Sequence, residues 1–219
     1  MARTGFNSAI IISAERPRHG KPVVKQPRKV GAENSKTRTA IMKATEQLML
    51  DKGYAAVSTR QVAKLLDLTP ALIHYYFPTT DDLLVAILRH TADKAIAAFR
   101  RATRTRQPLQ ALWSFGMDKR STALTVEFMA MANHRPAIRK EIANIAPLFR
   151  QLQAEALAQH DFARHGIDVV NPMSISVLMI AVSRLLVIEG GLGISMGHDE
   201  IRAFMDYWVE TLERSQTNT

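Results

Sequence analysis

The chain has 219 residues, 47% of them hydrophobic and 22% charged, enough apolar content for the core of one large domain or two small ones. It has no cysteine, which excludes disulfides, thiolate metal ligands and a cysteine nucleophile, and fits a reducing, cytoplasmic setting. Its formal charge of +9 and pI near 10.1 are unevenly placed. Residues 1–38 hold nine Lys/Arg against Glu15 and Glu33, so the basic excess lies at the amino end and points to a polyanionic partner.

Residues 1–34, with Pro17, Pro22 and Pro27 and no sustained period, read as a flexible basic arm. The plainer reading is a solubilising tail. From Ser35 the pattern turns helical: Ile41, Ala44, Leu48 and Met49 share a face, with Asn34 or Ser35 as cap and Gly53 as terminator. Two short helices follow. Ser58 and Gln61 have capping-box spacing, with Val57 able to staple onto Val62. Thr69 caps the second helix, Pro70 takes its first position and Leu68 can staple onto Ile73. Only "LDL" separates them. Pro78 closes the second helix, and Thr79 or Thr80 with Asp81 and Asp82 opens a long one to about Arg104. Further helical segments are expected at about 107–115, 117–131, 138–160, 172–189 and 199–214, and no stretch alternates like a strand pair. The fold expected is all-α, three helices in a small bundle and about six in a larger one. Residues 173–196 are the most apolar stretch, but Arg184 and Glu189 interrupt it, so no membrane span is expected.

Two capped helices joined by so short a turn, with a preceding helix to pack on, describe a helix-turn-helix. At about 100° per residue the second helix splits into two sides. Leu72, Ile73, Tyr76 and Phe77 seal the small core, while Pro70, Ala71, His74 and Tyr75 face away. That outward side is small where the helix begins and polar-aromatic where it ends, which suits a recognition helix entering the major groove by its first turn. Ala71 can meet a thymine methyl, and Thr69 a base edge or phosphate. His74, Tyr75, Thr59 and Arg60 can reach phosphates, while Lys36 and Arg38 are placed to hold the flanking backbone.

These residues lie within "TRTAIMKATEQLMLDKGYAAVSTRQVAKLLDLTPALIHYYFPTTDDLL". Residues 36 to about 90 resemble the DNA-binding domain of the TetR family of transcriptional repressors. The resemblance rests on Gly53-Tyr54, Ser58-Thr59, Val62-Ala63, Leu68 and Tyr76-Phe77 before the next helix. It implies a homodimer on a palindromic operator in double-stranded DNA, released when a small molecule enters the larger domain. It also implies that Thr59, Thr69, Ala71, His74 and Tyr75 face DNA. Most members of the family open the fourth helix with a phosphate-anchoring Lys; here the position is Thr80, followed by two acids. The organisation expected is a basic arm over 1–34, a helix-turn-helix domain over 35–83 and a ligand-binding and dimerisation domain over 84–219.

In the large domain, Ile201, Phe204, Met205, Trp208 and Leu212 form an apolar stripe, and Ser176, Ala181 and Ser183 permit close helix approach beside Leu178, Val182 and Leu185. In the TetR family the last two helices of each subunit pair across the dimer. The interface expected is therefore Leu178, Val182, Leu185, Ile201, Met205, Trp208 and Leu212; the alternative is that the stripe completes its own subunit's core. An adaptable apolar pocket for a small inducer is expected around Trp113, Phe115, Met117, Phe128, Met129 and Met131. His134, His160 and His165 lack metal-ligand company, and neither metal nor cofactor is expected. No phosphate-binding loop, nucleophile elbow or zinc-protease motif occurs, so enzymatic chemistry is not expected. A basic architectural protein binding nucleic acid or a membrane surface without operator specificity is the rival reading.

Overall fold

The structure, a computed structural model, describes residues 35–104, 107–158, 162 and 171–214. The expected arm, His160 and His165 lie outside the described residues. Among the described residues there are nine α-helices and no strand: α1 (Lys36–Lys52), α2 (Thr59–Leu65), α3 (Pro70–Tyr76), α4 (Thr80–Ala102), α5 (Pro108–Gly116), α6 (Lys119–Ala132), α7 (Pro136–Leu157), α8 (Pro172–Gly191) and α9 (His198–Arg214).

The helix starts follow local chemistry. The hydroxyl of Ser35 accepts the Arg38 N–H at 3.0 Å, that of Ser58 accepts Gln61 N–H at 3.2 Å, and that of Thr69 accepts Leu72 N–H at 3.3 Å. The full reciprocal capping box forms at α4, where Thr79 and Asp82 each hold the other's backbone N–H. Asp82 is thus occupied as a cap. Gly53 ends α1 at φ +75, a left-handed conformation open to glycine. The turn between α2 and α3 puts Asp67 at φ 53, which a short polar side chain tolerates. Pro147 sits inside α7, which continues past it with one ladder donor fewer.

Two cores form. The first joins Ile41, Met49, Val62, Ile73 and Phe77 of the three-helix unit to Leu83, Leu84 and Ile87 of α4, Leu124, Phe128 and Met131 of α6, and Ile138 of α7. The helix-turn-helix unit therefore shares its core with three helices of the larger bundle, and α4 runs unbroken across residues 83 and 84. The second core lies at the far end and contains Phe99, Leu109, Trp113, Leu157, Met179, Met205, Val209 and Leu212. There the amino end of α5 lacks a side-chain cap of its own. The Glu213 carboxylate of α9 supplies one, accepting the Leu109 N–H at 2.7 Å and the Gln110 N–H at 3.2 Å.

By length and composition α8 is apolar enough to cross a membrane. In the fold it packs against α5, α6 and α7, with Ile175, Ser176, Met179, Ser183 and Leu186 buried. At its crossing with α5 there is no room for a side chain: a Cβ on Gly116 would lie 1.8 Å from Ser183 Oγ.

Candidate nucleic-acid interface and ligand cavity

On α3, Pro70, Ala71, His74 and Tyr75 are exposed, as is the cap Thr69, whereas Ile73 and Phe77 are sealed in the core. Tyr75 is 46% exposed and braced edge-on by Tyr76, ring centroids 5.1 Å apart. Arg60 and Lys36 are exposed, and Thr59 is half-buried at the start of α2. Of the expected set, Lys36, Arg60, Thr69, Pro70, Ala71, His74 and Tyr75 are thus exposed, and Arg38 and Thr59 are half-buried.

Two members of that set are already engaged. The Arg38 guanidinium lies 4.8 Å from the Phe77 ring centroid, so it clamps the start of α1 to the end of α3. His74 Nδ1 lies 3.2 Å from the Pro78 carbonyl oxygen. A carbonyl only accepts, so Nδ1 is the donor in this contact.

Helix α1, the turn after it and the start of α4 are held to α6 and to the start of α7. Glu127 accepts the Tyr54 N–H at 2.6 Å, Arg120 pairs with Glu46 at 2.8 Å, and Arg135 pairs with Asp81. On the bundle itself Arg89 makes a two-pronged bond to Glu141, at 2.7 and 2.8 Å. These bonds hold the Glu141 carboxyl below its ordinary value, while burial pulls the other way. Sequence spacing offered no signal for these long-range pairs.

A cavity of about 790 Å³ opens between α4, α6, α7 and α8. Of the expected pocket residues, Phe115, Phe128 and Met129 line it. Trp113 instead sits in the far core, with its Nε1–H donated to Asp206 at 3.0 Å. Met131 is buried in the first core, and Met117 packs against the second. Ala92, Ala95 and Ala98 of α4 and Arg150, Gln153 and Arg184 of α7 and α8 also line the cavity. Small side chains leave the volume open. Arg184, conspicuous in an apolar helix, was the one sequence signal for this wall.

The expected dimer residues differ in how far their own chain covers them. Met205 and Leu212 are 2% and 3% exposed within their own chain, and Ile201, Trp208 and Val182 are packed against the same core. Side chains already covered by their own subunit offer little to a second one. The large apolar side chains more than half exposed on these two helices are Leu178 and Leu185 on α8 and Phe204 and Tyr207 on α9; Phe204 belongs to the expected stripe but not to the expected interface, and Tyr207 to neither.

Residues 41–87 match the sequence model described as bacterial regulatory proteins of the tetR family. The chain carries a TetR-family amino-terminal domain. Over 88 residues it is 34% identical to the HTH-type transcriptional regulator BetI of Rhizobium meliloti (strain 1021); that match covers 38% of this chain and 43% of BetI, less than half of that relative. The TetR-like architecture extends further. A TetR transcriptional regulator from Legionella pneumophila superposes with a TM-score of 0.63 over 80% of this chain and 98% of its own, at 20% identity. A Saccharomonospora viridis protein solved in complex with choline gives 0.66 over 80% and 95%, also at 20% identity. At such identity the likeness is one of fold: the TetR arrangement of a helix-turn-helix unit joined to a helical bundle.

Proposed function

We propose that this chain is a homodimeric, ligand-responsive transcriptional regulator, acting in the cytoplasm as a repressor on a palindromic operator. The observation that carries the reading is the exposed side of α3, Thr69, Pro70, Ala71, His74 and Tyr75, beside Thr59 and Arg60 of α2. It combines a small leading edge for base contact with hydroxyls and cations for phosphate. The TetR-family domain match supports it.

Dimerisation through α8 and α9 would cover Leu178, Leu185, Phe204 and Tyr207, large apolar side chains that are more than half exposed in the single chain. The cavity is the ligand site in this reading. Leu124 and Phe128 line it and also belong to the core shared with the helix pair. A ligand pressing on α6 would therefore press on the support of the DNA-binding unit, where Glu127 and Arg120 tie α6 to it.

The test is selection of bound duplexes from a random pool by the full chain at moderate salt. An enriched palindrome is expected. Recovery without any motif would overturn the operator reading and favour the second one, a basic architectural protein, which the net excess of seven positive charges over residues 1–38 supports.

A further inference from the structure

The charged side chains of the cavity are mostly basic. Six ionisable side chains line it: Lys94, Arg120, Arg150 and Arg184 against Glu46 and Asp118. Both carboxylates are committed. Glu46 is paired with Arg120 at 2.8 Å, and Asp118 accepts the Ser121 N–H at 2.7 Å as the cap of α6. Arg150 and Arg184 have no carboxylate partner among the described residues. Burial pushes the Arg184 guanidinium below its ordinary value, and the like charge of Arg150 adds to the effect.

A second group aims the same way. Gln153 is only 4% exposed, and its Oε1 is taken by the Ser176 hydroxyl at 2.8 Å. Its Nε2 hydrogens, on a cavity-lining side chain, meet no acceptor among the described residues. Two guanidiniums and an amide N–H₂ thus converge from α7 and α8 without an acceptor. Arg184 is partly buried without a carboxylate partner, and one oxyanion can pair with it while also taking Arg150 and the Gln153 amide N–H₂. The same cavity is lined by Leu88 and Ala95 of α4, Phe115 of α5, Phe128 of α6 and Phe149 of α7, apolar surface for the body of the same molecule.

We infer that the cavity binds an amphiphilic oxyanion, a carboxylate or phosphate head held by Arg150, Arg184 and Gln153 with its apolar chain along α4 and α6. This deepens the ligand-responsive reading and rests on it. It also sets this chain apart from the choline-bound protein of the same fold, since a quaternary ammonium would meet two unpaired cations here.

The experiment titrates the purified full chain by calorimetry with four ten-carbon probes: decanoate, decyl phosphate, decan-1-ol and decyltrimethylammonium. Decanoate or decyl phosphate is expected to bind at least about tenfold more tightly than the alcohol, and the better of the two identifies the oxyanion. Arg150→Gln, at an exposed position, and Arg184→Gln should each remove most of that advantage while leaving decan-1-ol unchanged. Equal binding of the three uncharged and anionic probes, or tighter binding of decyltrimethylammonium, would overturn the proposal. If Arg184→Gln fails to fold, Arg150→Gln alone decides it. Operator affinity measured with and without the bound anion separates the two readings. Anion binding that leaves operator affinity unchanged sinks ligand control of DNA and keeps the anion site; release by the ammonium probe alone does the reverse.

Discussion

Glu127, two-thirds of the way along α6, accepts the backbone N–H of Tyr54 at 2.6 Å across 73 residues of sequence. The donor lies in the turn just after Gly53, so one carboxylate fixes the exit of α1 to the helix that walls the cavity. The helix pair is therefore not a free module on a linker.

Removing that carboxylate should show in stability. Glu127→Ala leaves a half-buried N–H without its charged acceptor and should cost about 1–3 kcal/mol, read as a lower urea midpoint. Glu127→Gln keeps an acceptor oxygen and should cost less. Equal losses in the two variants would mean that packing of α6, rather than this bond, holds the turn.

The exposed side of α3 can be probed at two positions. Tyr75→Phe should weaken operator binding about fivefold, the worth of one hydrogen bond near 1 kcal/mol, without changing the selected consensus. Ala71→Leu should abolish specific binding while leaving non-specific binding intact, because a larger side chain bars the first turn from the groove. A changed consensus in Tyr75→Phe would place its hydroxyl on a base rather than a phosphate.

At the start of α4, Thr80 stands between the cap Thr79 and two acids that the fold already uses, Asp81 on Arg135 and Asp82 in the capping box. Thr80→Lys should restore a phosphate anchor, strengthening DNA binding and steepening its salt dependence by about one unit of slope. Asp82→Ala should instead lower stability by about 1 kcal/mol through loss of the cap. Salt titrations of binding on the first variant and thermal melts on the second check both.

The Arg89–Glu141 pair carries a pH signature. The Glu141 carboxyl is held below its ordinary value in the folded chain, so its contribution is present at neutral pH. That contribution is lost as the pH falls through the folded-state value, which lies below the ordinary carboxylate value. With Arg89 63% exposed, water screens the pair, and Glu141→Gln should cost about 1 kcal/mol at pH 7. The gap between variant and parent should close in acid. A gap that stays constant with pH would assign the loss to packing.

How much of this the sequence disclosed depended on the range of the interaction. Caps are local, so Ser35, Ser58, Thr69 and Thr79 were readable as helix starts, and the angular split of α3 told which side chains turn outward. An apolar stripe, by contrast, says that a helix face is covered without saying by what. Met205 and Leu212 carry the right spacing and turn to their own core, leaving Phe204 and Tyr207 outside. Trp113 and Met131 look like pocket residues for the same reason and are core. The cavity itself arises where alanines of α4 meet α7 and α8, a juxtaposition of residues more than forty positions apart. Phe115, Phe128 and Met129 were legible as lining from their apolar, adaptable side chains, whereas the α7 and α8 wall had no signal beyond Arg184, a charge inside an apolar run.

The contact of Gly116 with Ser183 has a consequence for the mutational history open to this chain. A methyl at 116 would need the Ser183 hydroxyl and Cβ, at 1.8 and 2.7 Å, to move, and both belong to the α8 that walls the cavity. Gly190 and Gly191, at the end of the same helix, have nothing within 4 Å and can take side chains without a clash. Drift along α8 is thereby channelled: its far end can diversify one substitution at a time, whereas the α5 crossing can change only when both helices change together.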